Sequence, residues 1–161
     1  MRRLVLLAMV FLLVTACGFH LQTRVELPAE MASTQLAVQS PHSEFARRIE
    51  SLLEQNGAQL VGSRDATATL EIPLNSLRRE IQSIGDGARV REFRVRHTVQ
   101  FRLLDSNGKE LIPLQTLEQS RVYGFNAENI LASEREFEFL GNELSDSMAR
   151  MVIRRLGTFG K

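Results

Sequence analysis

Apolar positions along the chain fall into distinct rhythms, and each rhythm predicts an element. Leu36 and Val38 share one face of a short strand over Gln35 to Gln39. Phe45, Ile49, Leu52 and Leu53 recur at helical spacing, with Arg47, Arg48, Glu50 and Glu54 on the other side. Ser40 suits the N-cap of that helix, Pro41 its first position, and Gly57 after Asn56 its stop. Ala68, Leu70, Ile72 and Leu74 then alternate with Thr67, Thr69 and Glu71, and Pro73 marks an edge or a bulge.

Gly85-Asp86-Gly87 predicts a hairpin turn into the most regular alternation of the chain. Phe93, Val95, Val99, Phe101 and Leu103 occupy one face of this strand, and Arg91 continues their parity. Arg94, Arg96, Thr98, Gln100 and Arg102 occupy the other. Asp105-Ser106-Asn107-Gly108 is a second turn, and a fourth strand follows over Glu110 to Tyr123. A long helix over Ala127 to Leu156 closes the chain. Its stripe is Phe137, Leu140, Leu144, Met148, Met151, Val152 and Leu156. Its acidic first half and basic last turns complement the helix dipole. Strand, helix, three strands and helix predict an α+β two-layer sandwich, with two helices on one face of a four-stranded sheet. The opposite sheet face is left open and carries Arg94, Arg96 and Arg102.

A further rhythm precedes all of these. Leu4 to Val14 is almost unbroken apolar sequence behind Met1, Arg2 and Arg3. At about 1.5 Å per residue it is too short to span a hydrocarbon core of about 30 Å, and it has the length of a signal-peptide core. It ends in Val14-Thr15-Ala16-Cys17, the lipobox pattern. Cys17 is the single cysteine of the chain, which excludes an intramolecular disulfide and a thiolate metal cluster. The expected organisation is a signal peptide over residues 1–16, a lipidated terminus and tether over 17–30, and one periplasmic domain over 31–161. Cys17 is expected to carry a covalent diacylglycerol and an N-acyl chain, which together hold a bilayer effectively permanently, and no other cofactor is expected. Gly18 rather than Asp after Cys17 favours the outer membrane, with the domain facing the periplasm.

Charge alters the picture only locally. The chain has 20 basic and 19 acidic residues. Between Arg78 and Arg102, seven arginines face three acids. Such a row suits phosphate through charge-assisted hydrogen bonds, or it is a solvated face kept polar against edge association. A periplasmic location argues against nucleic acid as the anion and for the phosphorylated glycolipid of the outer membrane. No catalytic constellation is visible. His20 lies close to Cys17, His42 starts a helix, and His97 falls on the apolar side of its strand as a core residue. No nucleophile elbow, zinc-binding helix pair or phosphate loop occurs. The expectation is a protein that is not an enzyme.

Cys17-Gly18-Phe19-His20-Leu21 resembles the Cys-Gly-aromatic-His-Leu start of the LptE family of lipopolysaccharide-assembly lipoproteins. The helix before Gly57, the paired strands, Arg121 with Tyr123, and Arg154-Arg155-Leu156 follow that family's order. The resemblance implies an outer-membrane lipoprotein that plugs the lumen of the β-barrel translocon LptD, assists its assembly and binds lipopolysaccharide. In the family, basic contacts to lipopolysaccharide lie near the central hairpin and the start of the last helix. Arg89, Arg91, Arg94, Arg96 and Arg135 are the candidates here. The alternative is a non-catalytic envelope lipoprotein that scaffolds another complex and binds no glycolipid.

Overall fold

The long alternation ending in Leu103 builds the middle of the molecule. Val95, His97, Val99, Phe101 and Leu103 are buried, while the residues between them are half-exposed. Full burial of a side chain such as Phe101 contributes about 2–3 kcal/mol, so one strand face supplies a large part of the core. The computed structural model describes residues 24–159. The proposed lipidation site Cys17, the signal segment and His20 lie outside the described residues. The described chain runs β1 (Ser33–Val38), α1 (Glu44–Gln55), β2 (Gln59–Leu60), β3 (Ala68–Ile84), β4 (Val90–Asp105), β5 (Glu110–Gly124) and α2 (Ile130–Phe159).

The two-layer α+β sandwich is present, but its sheet has five strands in the order β2-β1-β3-β4-β5 rather than four. The added strand, β2, pairs only Ser33 with Gln59 and Thr34 with Leu60. Two residues carry no legible alternation, and pairing alone makes them a strand. β1 is parallel to β2 and β3, whereas β3, β4 and β5 form an antiparallel meander. β1 accompanies β3 only as far as the Val38–Ile72 pair.

Both strand prolines sit at irregularities flanking the same stretch of β4. The β3 register slips between Glu71 and Leu74, around Pro73. The β5 register slips between its partners of Phe101 and Leu103, around Pro113. Proline cannot donate to the ladder, and an extra residue accommodates it. The slip at Pro73 reverses parity. Leu74, expected among the core residues of its strand, instead pairs with Gln100 on the open face.

Helix α1 also starts later than its sequence suggests. Ser40 to Ser43 form a turn, closed by the Ser43 N–H donating to the Ser40 carbonyl at 3.1 Å. Ser43, not Ser40, is the N-cap, its Oγ accepting from the Ala46 N–H at 3.2 Å. Helix α2 starts at Ile130, where Asn129 Oδ1 accepts from the Ala132 N–H. At about 1.5 Å per residue its 30 residues run nearly as far as the paired strands beneath. Its second half covers the main core with α1, through Met148, Val152 and Leu156. Its first half covers a smaller cluster of Val95, Tyr123, Leu140 and Leu144, flanked by Phe93 and Phe137.

The packed body begins before residue 31. Val25 and Leu27, read as tether, pack against the main core. The Val25 N–H donates to Asn56 Oδ1 at 2.7 Å. Gly157 lets this segment lie on α2, because a methyl group there would overlap the Val25 side chain.

Candidate functional site

The open sheet face was expected to be a basic row. Instead, its central arginines are held by carboxylates from the neighbouring strands. On β4, Arg102 donates to Glu71 of β3 at 2.7 Å and to Glu110 of β5 at 3.3 Å. Arg96 is paired with Glu80 of β3 at 3.2 Å and with Glu118 of β5. These glutamates raise both guanidinium pKa values; the Glu80 hydrogen bond dominates for Arg96 and the Glu71 hydrogen bond for Arg102. Each arginine is thus a cross-strand clamp. Arg94 shares this face, but its buried Nε has no hydrogen-bond partner among the described residues.

The remaining candidates gather at one end of the molecule. Arg89 and Arg91 lie where β4 leaves the hairpin, both exposed, and Arg91 packs on Gly85. The Gly85 N–H donates to the Arg89 carbonyl, closing a loop that contains a 3-10 turn over Asp86–Ala88. The Arg91 carbonyl accepts from the Phe125 N–H at the end of β5. Arg135 is exposed on the early turns of α2. Among the described residues, none of Arg89, Arg91, Arg94 and Arg135 forms an ion pair. This end lies opposite the end where Val25 enters. The 17 residues of β3 lead from one to the other, about 50 Å at some 3.3 Å per residue.

Arg79 is a site residue that periodicity missed. The slip at Pro73 turns it onto the helix-covered face, opposite Val95. There it donates to both carboxylate oxygens of Glu134, at 2.7 and 3.1 Å, and to the Tyr123 hydroxyl at 3.3 Å. Its guanidinium carbon lies 4.4 Å from the Phe137 ring centre and 5.4 Å from that of Phe93. The Glu134 hydrogen bond is the largest influence raising the Arg79 pKa, and the same contact holds the Glu134 carboxyl below its usual range. The arrangement fastens the first turns of α2 to the sheet next to Arg135. The one sequence signal was Arg79 itself, adjacent to Arg78 and so necessarily on the opposite face.

His97 marks the seam between the two cores. It is buried, with its ring edge against Phe45 at 5.6 Å between centres. Its Nε2 lies 2.8 Å from Asn75 Oδ1, and Asn75 Nδ2 donates to the Ser43 Oγ at 2.9 Å. The asparagine thereby links β4 to the cap of α1. Burial lowers the His97 pKa, and the Leu144 backbone opposes this more weakly. A cleft of about 420 Å³ opens beside this seam, between Ser43, Asn75, Phe137 and Gly141. No group of three or more potential metal ligands occurs among the described residues. No described helix is long and apolar enough to cross a membrane.

This architecture is shared with known proteins. The family described as LptE, lipopolysaccharide-assembly, matches residues 33–156. The chain belongs to the LptE family. An LPS-assembly lipoprotein LptE of Yersinia pestis (strain Pestoides F) is 32% identical over 155 residues, covering 95% of this chain and 74% of its own. That of Photorhabdus laumondii is 28% identical, covering 95% of this chain and 84% of its own. The solution structure of lipoprotein B from Nitrosomonas europaea superposes with a TM-score of 0.73 at 26% identity, over 88% of this chain and 92% of that one. Rare lipoprotein B from Shewanella oneidensis shares the fold at a TM-score of 0.67 and 22% identity, over 78% of this chain and 94% of that one. The family match begins at the first residue of β1 and ends within α2, so it takes in all five strands, α1 and α2 as far as Leu156 of this LptE-family sandwich.

Proposed function

We propose that this LptE-family chain is an outer-membrane lipoprotein anchored through acylated Cys17, and that it forms a complex with the β-barrel translocon LptD. In this reading it acts as a plug that assists barrel assembly, binds lipopolysaccharide and helps deliver it to the outer leaflet, without a catalytic step of its own. The observation that carries the reading is the match to the lipopolysaccharide-assembly family across the whole sandwich.

The distribution of charge supports it. Among the described residues, Arg89, Arg91 and Arg135 are exposed and without an ion-pair partner at the end remote from the entering N-terminal segment. Arg94 adds a guanidinium on the adjacent sheet face. Free arginines suit bidentate contacts to phosphate, whereas Arg96 is already engaged by Glu80 and Glu118. Arg96 therefore contributes to the same region chiefly by holding the strands.

The decisive test is purification of the native protein from detergent-solubilised envelopes with identification of its partner. Recovery of a large β-barrel supports the reading; recovery of a different complex favours a scaffold elsewhere. For glycolipid binding, the triple change Arg89→Glu, Arg91→Glu and Arg135→Glu should weaken lipopolysaccharide capture while circular dichroism stays unchanged. Undiminished capture rejects this end as the binding site.

A further inference from the structure

Strand β3 changes character half-way along. Up to Ile72 it is sandwiched between β1 and β4. Beyond Pro73 it keeps β4 on one side, but among the described residues no strand pairs with its other edge. That edge presents unpaired backbone donors and acceptors along Ser76 to Gln82, the usual template for adding a strand. Apolar residues flank it. Leu77 is 39% exposed and Ile81 57% exposed, both on the helix-covered face.

The residues on this edge are complementary to themselves when reversed. An antiparallel pairing of two copies about a two-fold axis at Arg79 sets Leu77 of each copy opposite Ile81 of the other. It sets Arg78 of each opposite Glu80 of the other. The faces agree: Leu77 and Ile81 pair with His97 and Phe93 on the helix side, while Arg78 and Glu80 pair with Arg96 and Arg94 on the open side. Among the described residues the exposed Arg78 is bonded only to the Ser76 hydroxyl, through Nε, which leaves its terminal nitrogens available to a carboxylate. Arg79, on the axis, already has its charge answered by Glu134 of its own chain. The two-fold axis thus yields two apolar cross-strand pairs and brings each Arg78 to a Glu80 carboxylate that Arg96 of its own chain engages through Oε2, leaving Oε1 without a partner among the described residues.

We propose that the free edge of β3 is a self-association surface, on which a second copy of this chain docks antiparallel in the register centred on Arg79. The inference is independent of the lipopolysaccharide-assembly reading, since it rests on strand register and charge order alone. Occupancy of this edge by a second copy would cover Leu77 and Ile81 whenever no other partner does.

The test uses the full-length protein purified in detergent, with the parent protein, carrying Cys17 alone, as the baseline for oxidation. Leu77→Cys and Ile81→Cys are prepared separately and mixed. Directly opposed residues have Cα atoms about 4.5–5.5 Å apart, within disulfide range, whereas two copies of residue 77 would lie about 14 Å apart. The mixture should form a cross-linked dimer above baseline, and neither variant alone should. Arg78→Glu should weaken the concentration-dependent dimer seen by sedimentation equilibrium about tenfold, because two attractive pairs become repulsive. Circular dichroism checks that each variant is folded. A monomer at every concentration overturns the proposal. So does cross-linking of Leu77→Cys to itself.

Discussion

Arg79 and Glu134 stand 55 residues apart in sequence and meet through two parallel hydrogen bonds of 2.7 and 3.1 Å. The pair ties β3 to the start of α2, above a core cluster with only four buried members. Arg79→Ala removes these bonds together with the contacts to Phe93 and Phe137. A loss of about 1–2 kcal/mol is expected, since the pair is partly exposed. Amide exchange should quicken in the first turns of α2 and stay unchanged in its second half. Uniform exchange along the helix would show that Arg79 does not fasten it.

His97 predicts a pH dependence with a definite sign. An unfolded histidine titrates near 6.5, and burial lowers that value in the fold. Between the two values the unfolded chain holds a proton that the folded chain does not. Stability is therefore full above pH about 6.5 and declines as pH falls from there toward the folded pKa. Denaturant titrations at several pH values should show this decline, and His97→Leu should reduce it. An equal decline in the variant would assign it to another group.

Clamped and free arginines should behave differently. Arg96→Glu and Arg102→Glu each place a carboxylate between two glutamates and should lower the melting temperature, less so at high salt. Arg89→Glu and Arg91→Glu, which break no ion pair among the described residues, should melt like the parent. Indistinguishable melting of all four would remove any role for the clamps in holding the sheet.

The hairpin loop contains strain at one residue. Ala88 has φ +57°, a left-handed conformation that costs an L-residue with a Cβ roughly 1 kcal/mol. Ala88→Gly should raise the unfolding free energy by a few tenths to about 1 kcal/mol, the greater flexibility of the unfolded chain offsetting part of the relief. Equilibrium denaturation measures it directly, and a loss of stability would contradict the strain.

Gly157 should resist any side chain. In an exposed helix, alanine would gain about 1 kcal/mol over glycine. Here the methyl group meets the Val25 side chain and crowds the Glu26 carbonyl, so overpacking costs about 1–3 kcal/mol and reverses the sign. Gly157→Ala should melt earlier and expose the segment around Val25 to proteolysis. A more stable variant would show that the segment yields freely.

Much of the fold was legible because local rhythm follows burial. The alternation of Phe93, Val95, Val99, Phe101 and Leu103 identified the core face of β4, and the heptad-like stripe of α2 identified its buried side. Turn chemistry located both hairpins. Asp105 illustrates why: its Oδ1 accepts from the Asn107 and Lys109 N–H groups, a local device contained in five consecutive residues. The candidate site was legible only as a set of arginines. Which of them are occupied depended on Glu71, Glu80, Glu110 and Glu118, and no spacing along the chain reveals that these oppose Arg102 and Arg96.

The sequence by itself determined the types of the longer elements, the placing of Arg94, Arg96 and Arg102 on one strand face, and the core position of His97, because side-chain direction within one helix or strand repeats with a fixed period. Only the tertiary structure decided which charges neutralise one another, where Pro73 reverses the faces of β3, that Arg79 turns inward to Glu134, and which half of β3 is left with a bare edge. Those outcomes depend on register between segments distant in sequence. A shift of a single residue exchanges the two faces of a strand, so the partners of every side chain beyond a bulge are fixed by pairing and not by pattern.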